Sequence, residues 1–180
     1  MAAFAAVVLI SLPGTVAAQV GSDEASDLLT DLREAEDPVA ADRAERALRL
    51  EWAQSGSASA DLLLKRGRDA LEVGQTDAAI EHLTALTDHA PDFAEGWFAL
   101  ATAYYTEELF GPAARALERT LVLNPDHYGA LQGIGAIHDQ LDRPRKAYAA
   151  YSAAAAIRPY NDELTEALDR LAREAQGWQL

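Results

Sequence analysis

Four histidines are the side chains best suited to hold a metal ion or to move a proton near neutral pH. They stand at His82, His89, His127 and His138. In a helix, His82 and His89 would be separated by about 10 Å of rise, which is too far for one small ion. The remaining two add no metal-binding spacing. The histidines therefore predict structural or surface roles and no metal site.

Three other patterns could do chemistry, and each lacks its structural context. Paired carboxylates at 107–108 and 162–163 fall at the ends of predicted helices, where solvation and the helix dipole explain them. The serines of 55–59 lack the strand-turn-helix setting of a nucleophile elbow, and the glycines of 133–135 follow no strand. We expect no catalytic residues, no cofactor and no enzymatic activity.

The composition excludes further classes of function. The chain has no cysteine, so it offers no disulfide, thiolate metal site or thiol nucleophile. Its net charge is -14 over 180 residues, and residues 1–59, 60–161 and 162–180 each carry an excess of acidic side chains. An acidic surface repels nucleic acid backbones and anionic headgroups, so neither is an expected partner. The charge favours solubility or, as the alternative, a cationic partner.

Residues 1–18 have the pattern of a secretory signal peptide. An apolar run from Ala2 to Leu12 is followed by Pro13 and Gly14, and small residues at Val16 and Ala18 predict cleavage after Ala18. The run is shorter than the roughly 20 residues that span a bilayer. No Lys or Arg precedes it, which is unusual for such a signal. The pattern predicts a periplasmic or secreted protein without stable membrane insertion after cleavage.

Most of the remaining chain repeats with a period of 34 residues. Pro91, Pro125 and Pro159 mark the ends of three units, which cover residues 60–93, 94–127 and 128–161. Three rows of small or apolar residues superpose without a gap: Gly67, Ala101 and Gly135; Ala79, Ala113 and Ala147; Leu83, Leu117 and Tyr151. Helical spacing within a fixed period of this length predicts stacked helix pairs. The predicted fold is all-α, a right-handed α-solenoid of antiparallel helix pairs.

These positions resemble the tetratricopeptide repeat (TPR) family over residues 60–161. The sequence departs from the family pattern at Arg66, where an apolar residue is usual, and at Thr120, where alanine is usual. Neither disturbs the register, because Thr120 can bond back to its own helix. The resemblance is specific for fold and weak for function, since one architecture serves many roles.

Helical segments flank the repeats on both sides. Residues 21–59 predict an N-terminal hairpin, a degenerate repeat or a cap, that covers the exposed face of the outermost repeat. The serine-rich residues 55–59 either end a rigid cap or form a flexible linker. After Asn161, which can cap a helix, residues 162–180 predict a C-terminal capping helix.

The resemblance implies that a partner binds the concave face, which the first helices of the repeats line. On that face it implies six partner-binding residues: Lys65, Arg68, Phe98, Thr102, Tyr105 and Gln132. The two cations could meet a carboxylate and the aromatic residues an apolar anchor. Alternatively, the cations only offset nearby acids and Phe98 packs within the array.

Chaperone adaptors of the same family clamp a C-terminal carboxylate with Lys, Asn and Arg side chains. At the corresponding positions this sequence has Leu64, Arg68, Ala99, Gly129 and Gly133. None matches, so a ligand of this groove would be held differently.

The sequence therefore predicts a non-enzymatic module that binds a peptide or protein segment in the concave groove, in the cell envelope. The alternative is a structural subunit of an envelope assembly that packs through the array edges and the terminal helices, with Trp52 and Trp178 at the contacts. Partner identity and oligomeric state do not follow from the sequence.

Overall fold

The computed structural model describes the backbone of residues 17–177 and the side chains of residues 23–174. This range contains nine α-helices and no β-strand: α1 Ala17–Arg33, α2 Pro38–Trp52, α3 Ala58–Glu72, α4 Thr76–His89, α5 Ala94–Thr106, α6 Phe110–Leu123, α7 Tyr128–Gln140, α8 Pro144–Ile157 and α9 Asp162–Gly177. The all-α prediction is confirmed. Residues 1–16 of the predicted signal peptide, and Trp178, lie outside the described residues. In the part of the chain that the structure describes, none of the helices has the length and apolarity needed to span a membrane.

The helices of the repeat region form three antiparallel pairs, α3–α4, α5–α6 and α7–α8, and each pair packs against the next. The second helices end at His89, Leu123 and Ile157, two residues before the three repeat prolines. Proline disfavours helix in the residue before it and cannot continue the helical hydrogen bonds, so it sets these ends. The chain is the right-handed α-solenoid that the period predicts, and α9 packs on α8 at its C-terminal end.

Small residues bring the two helices of a repeat together. A Cβ atom added at Gly135 would lie 2.5 Å from Cδ1 of Tyr151, and one added at Gly67 would collide with Leu83. Ala79, Ala113 and Ala147 on the facing helices are fully buried. The superposed rows in the sequence therefore mark the closest helix contacts.

The turn within each repeat uses one residue in the left-handed region. Gly74, Glu108 and Asp142 occupy equivalent positions, with φ of 72°, 57° and 51°. In the sequence, Gly111 and Pro112 predict the loop between the two helices of the second repeat. In the structure both residues lie in the first helical turn of α6. Proline is tolerated there because its missing N–H has no helical partner in any case.

The side chains of two residues cap the N-termini of the flanking helices α2 and α9. Asp37 accepts from the Ala40 N–H at the start of α2, and Asn161 accepts from the Leu164 N–H at 2.7 Å at the start of α9. The cap at Asn161 is as predicted. Thr120 is fully buried and its hydroxyl donates to the Ala116 carbonyl at 2.9 Å, so the departure from alanine leaves no polar group unsatisfied.

The N-terminal hairpin packs in a different place from the one predicted. Its apolar side chains, Leu29, Leu32, Ala41, Ala44 and Leu48, form a core with Tyr128 and Ile157 of the third repeat. The prediction that the hairpin covers the outermost, first repeat is therefore wrong. The third repeat supplies the hairpin with two large apolar side chains, Tyr128 and Ile157, and with Arg158 as a cation for Glu45.

Candidate functional site

A pocket of about 300 Å³ opens on the concave face between α5 and α7. We call it the groove pocket. Its lining residues come from three helices: Phe98, Ala101, Thr102 and Tyr105 of α5, Leu117 of α6, and Gly129, Gln132, Gly133 and Ala136 of α7. The size lies at the lower end of the range for ligand pockets, and the lining is mainly apolar.

Two glycines of α7 shape the groove pocket. A Cβ atom at Gly129 would lie 2.9 Å from Cζ of Phe98, and one at Gly133 would lie 3.0 Å from Cδ1 of Leu117. Because both positions lack a side chain, Phe98 and Leu117 rest directly against the α7 backbone. The ring of Phe98 then forms one wall, and the neighbouring small residues leave the centre open.

The structure brings four of the six predicted partner-binding residues together in this pocket: Phe98, Thr102, Tyr105 and Gln132. Thr102 is exposed at the rim, and its hydroxyl donates to the Phe98 carbonyl at 3.0 Å. The Gln132 amide donates to Glu163 of α9 at 3.2 Å. Because the lining is mainly apolar and carries no charged residue, the pocket interior favours an apolar guest.

The two predicted cations, Lys65 and Arg68, lie apart from the groove pocket. Lys65 pairs with Asp69 one turn further along α3, at 2.6 Å. Arg68 pairs with Glu95 at the start of α5. The structure therefore places both in ion pairs of the array itself.

Glu95 is the centre of a buried polar cluster that joins three repeats. Its Oε1 accepts from Arg68 and its Oε2 lies 3.1 Å from Nε2 of His127. Nδ1 of His127 accepts from the Ala130 N–H at 3.0 Å, so the ring proton is on Nε2 and donates to Glu95. Burial opposes ionisation of Glu95, but the hydrogen bond from His127 and the charges of Arg68 and Arg49 outweigh it and lower its pKa. Glu95 is a carboxylate at neutral pH.

The hairpin closes over this cluster. The ring of Trp52, at the end of α2, stacks on His127 with ring centres 4.8 Å apart, while Phe98 contacts the same imidazole at 4.4 Å. A second cavity of about 420 Å³ lies between the hairpin and the start of α5, with Trp52, Glu95 and His127 in its lining. His127 thus connects the hairpin with one wall of the groove pocket.

A partly buried ion pair joins the middle of α2 to the third repeat. Glu45 of α2 pairs with Arg158, Oε2 to Nε, at 2.6 Å, and accepts a long hydrogen bond of 3.4 Å from the Tyr128 hydroxyl. The Arg158 guanidinium also lies 5.6 Å from the centre of the Tyr128 ring. Burial, together with the nearby Glu45 charge, raises the Tyr128 pKa, so the phenol stays protonated.

Carboxylates border the groove on the side of α9. Glu163 receives the hydrogen bond from Gln132, and Asp139 of α7 pairs with Arg170. Arg170 also reaches Glu174 at 3.3 Å, so its single charge is shared between two acids. This side of the groove therefore carries an excess of negative charge.

Sequence reasoning missed Glu45, Arg158 and Glu95, and it did not predict that Glu95 pairs with Arg68. Glu45 and Arg158 are 113 residues apart, and Arg68 and Glu95 are 27 apart, so no local spacing connects them. Only the folding of the hairpin onto the third repeat and the stacking of α3 on α5 create these pairs.

Stacked helix pairs with a concave groove define the class of α-solenoid repeat proteins. No family model matches the sequence. A TPR repeat-containing protein of Rhizobium etli is 29% identical over 150 residues, which is 83% of this chain and 74% of the relative. Together with the 34-residue helix pairs, this similarity shows that the chain is similar to tetratricopeptide-repeat proteins and shares their fold.

Solved structures share the fold. The first TPR domain of Spaghetti (RPAP3), bound to the HSP90 peptide SRMEEVD, has a TM-score of 0.64 and 24% identity, covering 67% of this chain and 95% of that one. The MamA protein has a TM-score of 0.60 and 24% identity, covering 88% and 84%. The Yersinia enterocolitica secretion chaperone SycD, in complex with a YopD peptide, has a TM-score of 0.62 and 11% identity, covering 66% and 96%.

Proposed function

We propose that this protein is a binding module that holds an extended segment of another protein in its concave groove and performs no chemical step. The observation that carries the proposal is the groove pocket, which joins four of the residues predicted from the sequence in one apolar concavity. Two structures of the same fold hold peptides, an HSP90 peptide in Spaghetti and a YopD peptide in SycD, and they support the same mode of binding here.

The mechanism is docking onto a preformed surface. The array, the Glu95 cluster and the hairpin hold Phe98 against α7 before any ligand arrives. A receptor that is already ordered avoids much of the entropic cost of association. We expect one bulky side chain of the ligand to enter the groove pocket, with its neighbours along the concave face.

Two exposed threonines of α5 provide a matched test. Thr102 is at the rim of the groove pocket, whereas Thr106 lies one turn further on, outside it, and makes the same kind of hydrogen bond to a carbonyl four residues back. Thr102→Trp should fill the pocket and weaken peptide binding at least about fivefold, because blocking a buried anchor costs more than about 1 kcal/mol. Thr106→Trp should leave binding unchanged.

The assay is selection of a displayed random-peptide library on the purified chain, followed by affinity measurement with both variants. Ligands that lose affinity only with Thr102→Trp support the proposal. If the library yields no ligand, or if the two variants lose affinity equally, groove recognition is refuted and packing through the array edges becomes the better explanation.

We also propose that the protein is exported to the cell envelope, on the strength of the apolar run, the breaker and the small residues before Gln19. N-terminal sequencing of the protein isolated from cells tests this. A mature chain that starts at Gln19 supports export, and a cytosolic chain that retains residues 1–18 refutes it.

A further inference from the structure

The groove pocket selects the size and polarity of its ligand. Its volume of about 300 Å³ and its lining of Phe98, Leu117 and small residues accommodate one large apolar side chain. The hydroxyl of Thr102 and the amide of Gln132 are both engaged within the protein. A charged guest would lose its hydration in the pocket without meeting an opposite charge, because none of the lining residues is charged.

The charge beside the pocket is negative. Glu163 lies next to the groove pocket, because its carboxylate accepts a hydrogen bond from the amide of Gln132, which lines the pocket. Its carboxylate is exposed and can accept further hydrogen bonds. Asp139, one turn along α7 from Ala136 of the lining, shares Arg170 with Glu174. A ligand residue next to the apolar anchor therefore meets acidic side chains.

The cations on the concave face are committed elsewhere. Lys65 pairs with Asp69 and Arg68 with Glu95, whose two oxygens are both occupied. An acidic ligand that took Arg68 would strand the buried carboxylate of Glu95, which is costly, whereas the Lys65–Asp69 pair is exposed and weak. The net charge of -14 adds long-range attraction for a basic segment.

We propose that the groove recognises a peptide segment in which a bulky apolar side chain is directly flanked by lysine or arginine, with the apolar group in the groove pocket and the cation against Glu163. This inference rests on the proposed function and specifies its ligand. The peptide in the Spaghetti complex, SRMEEVD, ends in acidic residues, so the ligand chemistry proposed here is of the opposite charge.

Short fluorescein-labelled peptides on a glycine-serine backbone test the proposal by fluorescence anisotropy. Four probes suffice: phenylalanine flanked by lysines, by serines or by glutamates, and alanine flanked by lysines. We expect the phenylalanine-lysine probe to bind about tenfold more tightly than the phenylalanine-glutamate probe, because charges at an interface rim act mainly on association and partner choice. The preference should disappear at about 1 M salt, where the Debye length falls to about 3 Å.

Two carboxylate variants locate the charge effect. Glu163→Gln keeps the shape of the side chain and should reduce the preference for lysine over serine by about two- to fivefold, which corresponds to the upper part of the range for one exposed ion pair. Glu118→Gln removes an exposed carboxylate of α6, outside the lining of the groove pocket, and should leave the preference unchanged. Equal effects of the two variants would overturn the assignment of the cation to Glu163.

The outcomes separate this inference from the proposed function. Equal binding of the three phenylalanine probes, with sensitivity to Thr102→Trp, overturns the charge preference and leaves groove recognition standing. Equal binding of the phenylalanine and alanine probes overturns the apolar anchor. If the four probes fail but the library yields ligands that depend on Thr102, the ligand class is wrong and the function stands. If neither the four probes nor the library yields a ligand whose binding depends on Thr102, the proposed function itself is refuted.

Discussion

Replacing Glu45 by alanine should detach the N-terminal hairpin from the third repeat. The side chains of Glu45 and Arg158 are 11% and 23% exposed, so their ion pair is neither fully buried nor at the surface. Breaking a fully buried pair costs about 3–5 kcal/mol, and an exposed pair contributes about 0.2–1 kcal/mol. Because Arg158 retains some access to water and the Tyr128 hydroxyl loses only a long hydrogen bond, we expect a loss of about 2 kcal/mol in the free energy of unfolding.

Urea unfolding followed by circular dichroism measures this loss, with Asp42→Ala as the matched control. Asp42 is an exposed carboxylate on the same helix, and its removal should change stability by less than about 0.5 kcal/mol. Replacing both Glu45 and Arg158 by leucine should restore part of the loss, because the stranded charge is then removed as well. If Glu45→Ala costs no more than Asp42→Ala, the ion pair does not hold the hairpin.

Limited proteolysis gives an independent measure of detachment. Residues 53–57 connect the hairpin to α3, and Ser55 within this segment is held by a hydrogen bond of its N–H to Asp61. In Glu45→Ala, cleavage in this segment should accelerate more than cleavage within α5 or α6. Uniform acceleration throughout the chain would indicate general loss of stability and would contradict a local role.

Two further predictions concern the array itself. The pKa of Glu95 is lowered in the folded state, so its ionised carboxylate stabilises the fold above the unfolded pKa of 4.5, and this stabilisation is lost as the pH falls through the lower folded pKa. The free energy of unfolding should therefore fall less steeply with acidification in Glu95→Gln than in the wild type. Identical pH profiles of the two proteins would contradict this prediction. Gly135→Ala should lower the free energy of unfolding by about 1–3 kcal/mol, because the new Cβ collides with the Tyr151 ring. Gly111→Ala should instead stabilise the protein by up to about 1 kcal/mol, because its Cβ would lie 3.9 Å from Arg115 and meet no obstacle. Thermal unfolding compares the two variants, and equal shifts would show that Gly135 is not a packing position.

The period of 34 residues was sufficient to predict the fold because repeat proteins are held together by contacts between neighbours in sequence. The ends of α4, α6 and α8 follow from three prolines, and the contact at Gly135 follows from the superposed rows. The docking of the hairpin could not be predicted, since Glu45 and Arg158 are far apart in the chain and neither belongs to a repeated pattern. The same limit applies to Arg68, whose partner lies in the next repeat.

The groove pocket occurs where the third repeat differs from the second. Position 129 is glycine, but 34 residues earlier the equivalent position is Glu95, whose side chain takes up the ion pair with Arg68. Gln132 likewise corresponds to Phe98, which turns its ring against α7. The interface between α3 and α5 thus contains an ion pair, whereas the equivalent space between α5 and α7 contains none and has the Phe98 ring as a wall of the groove pocket. The residues that follow the repeat pattern pack the helices together. Gly129 and Gln132, at which the third repeat differs from the second, line the groove pocket that would receive the proposed ligand.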